Sequence, residues 1–390
     1  MSEKEERVVP VRDQTPNPIM AHDPDDVEPR DGWFYRTFSF LRWTSSNAYQ
    51  LRDAEERLLS YMKLPSQGFY VDIGQINGQS CRIWTRRFGS TPSVPSPPGQ
   101  REPLPLVLIH GMASGLALFA LNIEAWARER LVYAIDLPGF ARSSRPAFSS
   151  DPETAEGQFV VALEEWRRQL KLAKICLLGH SFGGYLSCAY ALQHPEHVGH
   201  LIAADPWGFP ERPKDLAQRY NLPWYVKAIF GVARHFNPLA SLRAVGPYGP
   251  KVVKRMRPDL IRKFRPLFTS DEENMEVVPN YIYHCNVQTP SGESAFHSLM
   301  SSFAWSKFPM FPRLAQLSPS VPLTVIYGGL SWVTAIPAED FATIRPDPQA
   351  YTSVKILKQS SHHVYVDEMD LFNDLVNKAC VVSQEKFKAT

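Results

Sequence analysis

From residue 104 onward, short apolar runs alternate with segments of helical periodicity. The runs are LPLVLI (104–109), RLVYAID (130–136), AKICLLG (173–179), HLIAAD (200–205), PLTVIYG (322–328) and TSVKILK (352–358). Strands covered on both faces lose polar alternation, so runs of this kind predict a buried, mostly parallel sheet. Two further strands are predicted near 68–76 and 79–86. One intervening helix is predicted to start at Asp151, with Pro152 at its first position and Phe159, Leu163, Trp166 and Leu170 at helical spacing. An earlier helix covers about 47–62, with Leu51, Ala54, Leu58 and Met62 on one face.

The alternation fails between about 206 and 320, in a block rich in Pro, aromatic and basic residues. In an open α/β sheet a block that follows a strand end covers the rim of the site, so 206–315 reads as a cap or lid. The α/β core then comprises 64–205 and 316–390. The Pro- and Ser-rich stretch GSTPSVPSPPGQREP (89–103) reads as a loop insertion. Residues 1–31 are polar and Pro-rich, which predicts disorder. The segment 32–63 joins a dense aromatic stretch (Trp33, Phe34, Tyr35, Phe38, Phe40, Trp43) to the first helix.

Composition narrows the classes. With 42 basic against 40 acidic residues the net charge is +2, which lacks the clustered basic excess of a nucleic-acid binder. A chain of 390 residues is long enough for one large core plus an insertion. The five cysteines (Cys81, Cys176, Cys188, Cys285, Cys380) are too scattered for a disulfide framework or a zinc cluster. The N-terminal MSEKEERVVPVRDQ has no apolar signal core, and no run approaches the ~18–20 apolar residues of a membrane span. There is no Asn-x-Ser/Thr sequon. The expectation is an intracellular protein, soluble or peripherally bound.

The chemistry centres on GHSFGG (179–184), which directly follows AKICLL and precedes a helix ending before Pro195. This is the strand–turn–helix context in which G-x-S-x-G lifts a nucleophile above the sheet, so Ser181 is the candidate nucleophile. The helix N-terminus behind it favours negative charge on a tetrahedral intermediate. An oxyanion needs backbone donors, one from the residue after the nucleophile, Phe182. The other is expected from the loop after an earlier strand; HGMASG (110–115) nominates the Met112 amide. The base should be a histidine after the last strand, where QSSHHVYVDE (359–368) offers His362 and His363. Periodicity does not choose between them. Asp367 reads as the cap of a final helix. His284–Cys285–Asn286 has no partners at ligand spacing, and neither a metal nor a cysteine nucleophile is expected there.

GHSFGG, HGMASG, DPWGFPERP (205–213), NPLASLRAVGPYGP (237–250), YIYHCNVQTPSGESAFHSL (281–299) and HHVYVDE (362–368) together resemble one branch of the α/β-hydrolases. It is the abhydrolase-domain-containing four/five subfamily, with its lyso-N-acylphosphatidylethanolamine lipases and its lipid-droplet coactivators of triacylglycerol lipase. The resemblance covers about residues 40–380. It implies an α/β-hydrolase fold with a mostly parallel eight-stranded sheet, helices on both faces and a cap after the sixth strand. It also implies Ser181 as nucleophile, His362 as base and no cofactor. HHVYVD further fits the H-x4-D pattern that the family links to lysophosphatidate acyltransferase activity. A second acyltransferase site is not expected; His362 reads as the base and Asp367 as a helix cap.

Two departures bear on activity. Coactivator members carry Asn at the elbow, whereas this chain keeps Ser181. In the family the acid follows the seventh strand, but in YGGLSWVT (327–334) Thr334 stands where Asp is expected. A mispaired triad can lose about 10⁴ in kcat. The candidate acids are Asp205 at the end of the preceding strand, or Asp340 or Glu339; the alternative is no acid and lost catalysis. DPWG at 205–208 also reads as a turn in which Asp205 bonds local backbone.

The leading expectation is a serine hydrolase acting on acyl esters of (lyso)glycerophospholipids or acylglycerols. The alternatives are a lipid-droplet adaptor that activates a triacylglycerol lipase, or a lysophosphatidate acyltransferase. Trp33, Phe34 and Trp43 could insert at a lipid surface, a reading supported by the resemblance. KVVKRMRPDLIRKFRP (251–266) carries seven basic residues and one acid, with Val252, Met256, Leu260 and Phe264 every fourth position and Pro258 interrupting. Lys254 and Arg255 are its candidates for anionic phospholipid. The expected location is cytoplasmic, peripheral on lipid droplets or membranes, with mitochondrial membranes a further option.

Overall fold

A computed structural model of the chain describes residues 19–20, 46–89, 102–213, 238–302 and 304–386. Eight main strands form one sheet: β1 (Ser66–Ile76), β2 (Gln79–Phe88), β3 (Leu106–Ile109), β4 (Val132–Ile135), β5 (Ile175–His180), β6 (Val198–Ala204), β7 (Leu323–Gly328) and β8 (Thr352–Leu357). Their order is 1-2-4-3-5-6-7-8. The pairings from β4 to β8 are parallel, while β1, β2 and β4 pair antiparallel. A two-residue strand, Ile19–Met20, pairs with β1 at the outer edge. This is the mostly parallel eight-stranded sheet that the resemblance implies, with that short strand added.

Local chemistry sets the boundaries. β1 and β2 are joined by Asn77–Gly78, whose φ values of +48° and +75° suit a tight hairpin. The first helix, α1 (Ala48–Leu59), opens with a capping box between Asn47 and Gln50. Between β3 and β4 lies α2 (Ala120–Ala127), and between β4 and β5 lies α3 (Pro152–Gln169). α3 starts as expected, with the Asp151 side chain accepting from the Thr154 N–H and Pro152 in the first turn. Its Phe159, Leu163 and Trp166 are buried. α4 (Phe182–Gln193) follows β5 and is buried nearly all round. The last of the described helices is α13 (Met369–Lys386).

Alternate strand residues face two cores. Val107, Ile109, Ile175, Leu177, Leu201 and Ala203 pack with α3 and α4 on one face. Leu106, Leu108, Cys176, Leu178, Ile202 and Ala204 pack with α1, α2 and α13 on the other. The chain winds from β3 to β4 on one side and returns to β5 on the other, so the loops after β3 and β5 meet at a topological switch point.

Between β6 and β7 the described helices are α5 (Pro238–Ala244), α6 (Gly249–Met256), α7 (Pro258–Lys263), α8 (Asp271–Asn286), α9 (Ser291–Leu299) and α10 (Met310–Arg313). After β7 and β8 come α11 (Ala338–Ile344) and α12 (Val364–Asp367). Two findings go beyond the sequence reading. Leu51, Ala54, Leu58 and Met62, expected on one face of the 47–62 helix, are buried, and Glu55 is fully buried as well. It is held by Trp84 Nε1 at 2.9 Å, Arg86 Nε at 3.2 Å and Arg142 at 3.0 Å. The second concerns 251–266, which does not present one apolar face. Pro258 breaks it at Arg257, and Leu260, Ile261 and Phe264 turn into the α1/α2 core while Met256 is left 69% exposed.

Candidate active site

Ser181 stands between β5 and α4 with φ +55° and ψ −118°, a strained conformation for a residue with a side chain. The neighbouring strand over-determines it. Its N–H donates to the Ala204 carbonyl at 3.0 Å, and its carbonyl accepts from Tyr185 and Trp207, each at 3.1 Å. The turn also demands Gly183, because a Cβ there would lie 2.4 Å from the Ile109 carbonyl of β3.

Two side chains from distant loops meet this serine. His362 lies in the loop between β8 and α12, and its Nε2 is 3.0 Å from Ser181 Oγ. Its Nδ1–H donates to Asp205 Oδ2 at 2.6 Å. Asp205 directly follows β6 and is fully buried. The Gly328 N–H donates to its Oδ1 at 2.9 Å, and Ser331 Oγ donates to its Oδ2 at 2.5 Å. Its carboxylate is therefore spent on the end of β7 and on His362, and it does not serve as a local turn. Thr334, Glu339 and Asp340 are all exposed in the segment after β7.

The structure thus brings Ser181, His362 and Asp205 into one hydrogen-bonded line. His363 is excluded from it, its ring packing 5.3 Å from His180 and 5.9 Å from Tyr365. An imidazole placed between a hydroxyl and a buried carboxylate can take the hydroxyl proton and be stabilised as imidazolium. Trp332, 44% exposed, lies 4.8 Å from the His362 ring, with exposed Leu330 beside it, giving this mouth an apolar lip.

The loop after β3 reaches the serine from the other side. A Cβ on Gly111 would sit 3.0 Å from Ser181 Cβ, which places the adjoining Met112 amide beside the nucleophile. Phe182, as the first residue of α4, has no acceptor one turn back within the helix. The cap braces this loop through groups that sequence reasoning passed over. Asn286 Nδ2 donates to the Ala113 carbonyl at 3.0 Å, and Tyr281 Oη accepts from the Ala117 N–H at 3.1 Å. Asn286 belongs to the His–Cys–Asn stretch, which is thus structural. Its only signal in the sequence was an amide in an otherwise apolar helix segment.

Two histidines line the base of the site. His110 accepts the Leu137 N–H on Nε2 at 3.0 Å and donates from Nδ1 to the Gly111 carbonyl at 2.7 Å. His180 donates from Nε2 to the His362 carbonyl at 2.8 Å. Burial lowers the pKa of His110 from its ordinary 6.5 to about 4, and lowers that of His180 well below 6.5, with His362 adding to the shift. Both are therefore neutral in the fold at pH 6, whereas the unfolded chain protonates them from about 6.5 downward. The unfolded state then binds more protons, so the stability these histidines contribute is complete above pH 6.5 and is lost as pH falls, in the case of His110 towards about 4. His110 contributes a loss of roughly 1.4 kcal/mol per pH unit within that window, and His180 acts in the same direction. Urea unfolding at pH 6.5 and 5.0 checks this, with a smaller difference expected in His110→Gln. An equal difference in that variant would contradict the assignment.

Of the candidate lipid contacts, Lys254 and Arg255 are exposed in the last turn of α6. Trp33, Phe34 and Trp43 lie outside the described residues. Among the described residues no helix is long and apolar enough to cross a membrane, and no cluster of His, Cys, Asp or Glu could hold a metal ion.

Comparison with known proteins gives the family and the fold. The α/β-hydrolase fold family matches residues 105–336. A Homo sapiens protein named (lyso)-N-acylphosphatidylethanolamine lipase is 40% identical over 357 residues, covering 91% of this chain and 98% of its own. A Mus musculus protein named 1-acylglycerol-3-phosphate O-acyltransferase ABHD5 is 40% identical over 358 residues, covering 92% and 96%. Among solved structures, a carboxylesterase from Bacillus subtilis superposes with a TM-score of 0.55 at 17% identity, covering 85% of this chain and 97% of its own. That last likeness is one of fold.

Proposed function

We propose that this chain, which belongs to the α/β-hydrolase family, is a serine hydrolase cleaving acyl esters of (lyso)glycerophospholipids or acylglycerols, lyso-N-acylphosphatidylethanolamine among them. The observation that carries the reading is His362, 3.0 Å from Ser181 Oγ and 2.6 Å from Asp205. Ser181 attacks the acyl carbonyl while His362 Nε2 takes its proton. The Phe182 and Met112 amides receive the charge on the carbonyl oxygen, each contributing roughly 10²–10³ in kcat. His362 then protonates the departing glycerol oxygen. In the second half His362 draws a proton from water, which attacks the acyl-enzyme and releases the fatty acid and free Ser181. Asp205 keeps the proton of His362 on Nδ1 and stabilises the imidazolium. No step calls for a cofactor.

The 40% identity to a protein named as a 1-acylglycerol-3-phosphate O-acyltransferase supports a second reading on the same acyl-enzyme. There the hydroxyl of a lysophosphatidate replaces water as acceptor. Thr334 in the expected acid position favours a non-catalytic adaptor for a triacylglycerol lipase. Asp205 in contact with His362 supports the hydrolase reading instead.

The test is release of fatty acid from a panel of lysophospholipids, N-acylated lysophosphatidylethanolamine and monoacylglycerols, beside Ser181→Ala. Turnover of at least one class that disappears in Ser181→Ala is expected. A panel with no turnover, together with activation of a triacylglycerol lipase, would favour the adaptor.

The substrate class implies a peripheral lipid surface, a droplet or membrane, with Lys254 and Arg255 facing it beside exposed Met256 and with Trp33, Phe34 and Trp43 inserted. A basic charge near an anionic membrane contributes about 1 kcal/mol. Lys254→Gln and Arg255→Gln are each expected to weaken binding to vesicles containing anionic phospholipid about fivefold, with neutral vesicles unaffected. Unchanged sedimentation with anionic vesicles would remove α6 from the docking face.

A further inference from the structure

The H-x4-D pair, His362 and Asp367, is the motif that the proposed chemistry uses only in part. Its histidine is already assigned, and its aspartate is not the helix cap that the sequence suggested. Asp367 ends α12, and its carboxylate turns back onto the histidine loop. Asp367 Oδ2 accepts from both the N–H and the Oγ–H of Ser361, each at 2.7 Å. Its other oxygen forms an ion pair with Lys263, whose ammonium also donates to Ser361 Oγ at 2.9 Å. The Asp367 side chain is only 8% exposed.

Lys263 comes from α7, within the block between β6 and β7. One carboxylate therefore ties this block to the residue immediately before His362. The following residue, Glu368, accepts from the Gln359 N–H at 2.8 Å and from Ser360 Oγ at 2.9 Å. His180 fixes the His362 carbonyl from below at 2.8 Å. Both Asp367 oxygens are engaged by Ser361 and Lys263, while the place of a carboxylate on the imidazole is taken by Asp205 at 2.6 Å.

We propose that Asp367 and Lys263 are positioning residues that hold the His362 loop from the α7 side, and that the H-x4-D motif is not a second acyl-transfer centre. This rests on the proposed serine hydrolase chemistry. It predicts that hydrolysis and acyl transfer to a lysophosphatidate decline together when the clamp is cut, since both run through Ser181 and His362.

A small misplacement of a reacting group can cost about 10²-fold, so Asp367→Ala is expected to lower kcat roughly 10- to 100-fold with KM little changed. Asp367→Asn, which keeps an acceptor for Ser361 but loses the charge, should fall between Asp367→Ala and wild type. Lys263→Gln should lower kcat less, and the Asp367→Ala/Lys263→Gln pair no further than Asp367→Ala alone, because both act through one carboxylate. A readout independent of turnover is the downfield proton resonance of the His362–Asp205 hydrogen bond, expected in wild type and broadened or lost in Asp367→Ala.

Wild-type kcat and an intact downfield signal in a folded Asp367→Ala would overturn the inference. Additive losses in the double variant would do the same. So would selective loss of acyl transfer with hydrolysis preserved, since that would make Asp367 part of a separate transferase centre. If wild type shows the downfield signal but turns over no substrate, the hydrolase reading fails, while the positioning by Asp367 is still decided by loss of that signal in Asp367→Ala.

Discussion

An Asp205→Asn variant is expected to lose about four orders of magnitude of kcat, while Thr334→Asp, an exposed surface change, stays within about twofold of wild type. Asn at 205 can donate where the carboxylate only accepts, and His362 then takes the tautomer with its proton on Nε2, facing Ser181. That tautomer cannot accept the serine proton. Asp205 also receives the Gly328 N–H and the Ser331 hydroxyl, so Asn, which keeps one carbonyl acceptor, is a cleaner probe than Ala. The measurement is kcat for the best lipid of the panel, with thermal unfolding alongside. If Asp205→Asn retained wild-type kcat, the 2.6 Å contact would have no catalytic meaning.

Ser181→Ala and His362→Ala should each lower kcat by roughly 10⁶, and the double variant should fall no further than either alone. Nucleophile and base act as one unit, so the second loss costs nothing once the first is made. Multiplicative losses would mean that the two side chains contribute separately, and the hydrogen-bonded line would need another explanation.

Much of this was legible from residue types. Strands β3 to β7 fall within a few residues of their apolar runs, because strands buried on both faces lose polar alternation, whereas the edge strand β8 leaves Lys355 and Ile356 exposed. GHSFGG was readable because its glycines answer local steric demands, as the 2.4 Å approach at Gly183 shows. Periodicity did not choose between His362 and His363, and the resemblance supplied His362; the physical reason is tertiary, with His180 gripping the His362 carbonyl from 182 positions away. The acid was ambiguous for a similar reason. An Asp before Pro at a strand end looks like a turn residue, and the donors that make Asp205 a buried carboxylate arrive from Gly328 and Ser331, at separations of 123 and 126. Along 251–266 the four-residue repeat suggested one apolar stripe, but the break at Pro258 lets α7 turn its face inward independently of α6. Glu55 was invisible because its partners, Arg86 and Arg142, lie on other elements.

The central claim is that Ser181 is an activated nucleophile whose base is held by Asp205. Incubating the purified protein with a fluorophosphonate probe and locating the adduct by mass spectrometry tests it most directly. The account predicts a covalent adduct on Ser181 of the wild type and of Thr334→Asp, absent from Ser181→Ala and greatly slowed in Asp205→Asn. A wild type that stays unlabelled but becomes labelled in Thr334→Asp would contradict it, and would place the missing acid at position 334.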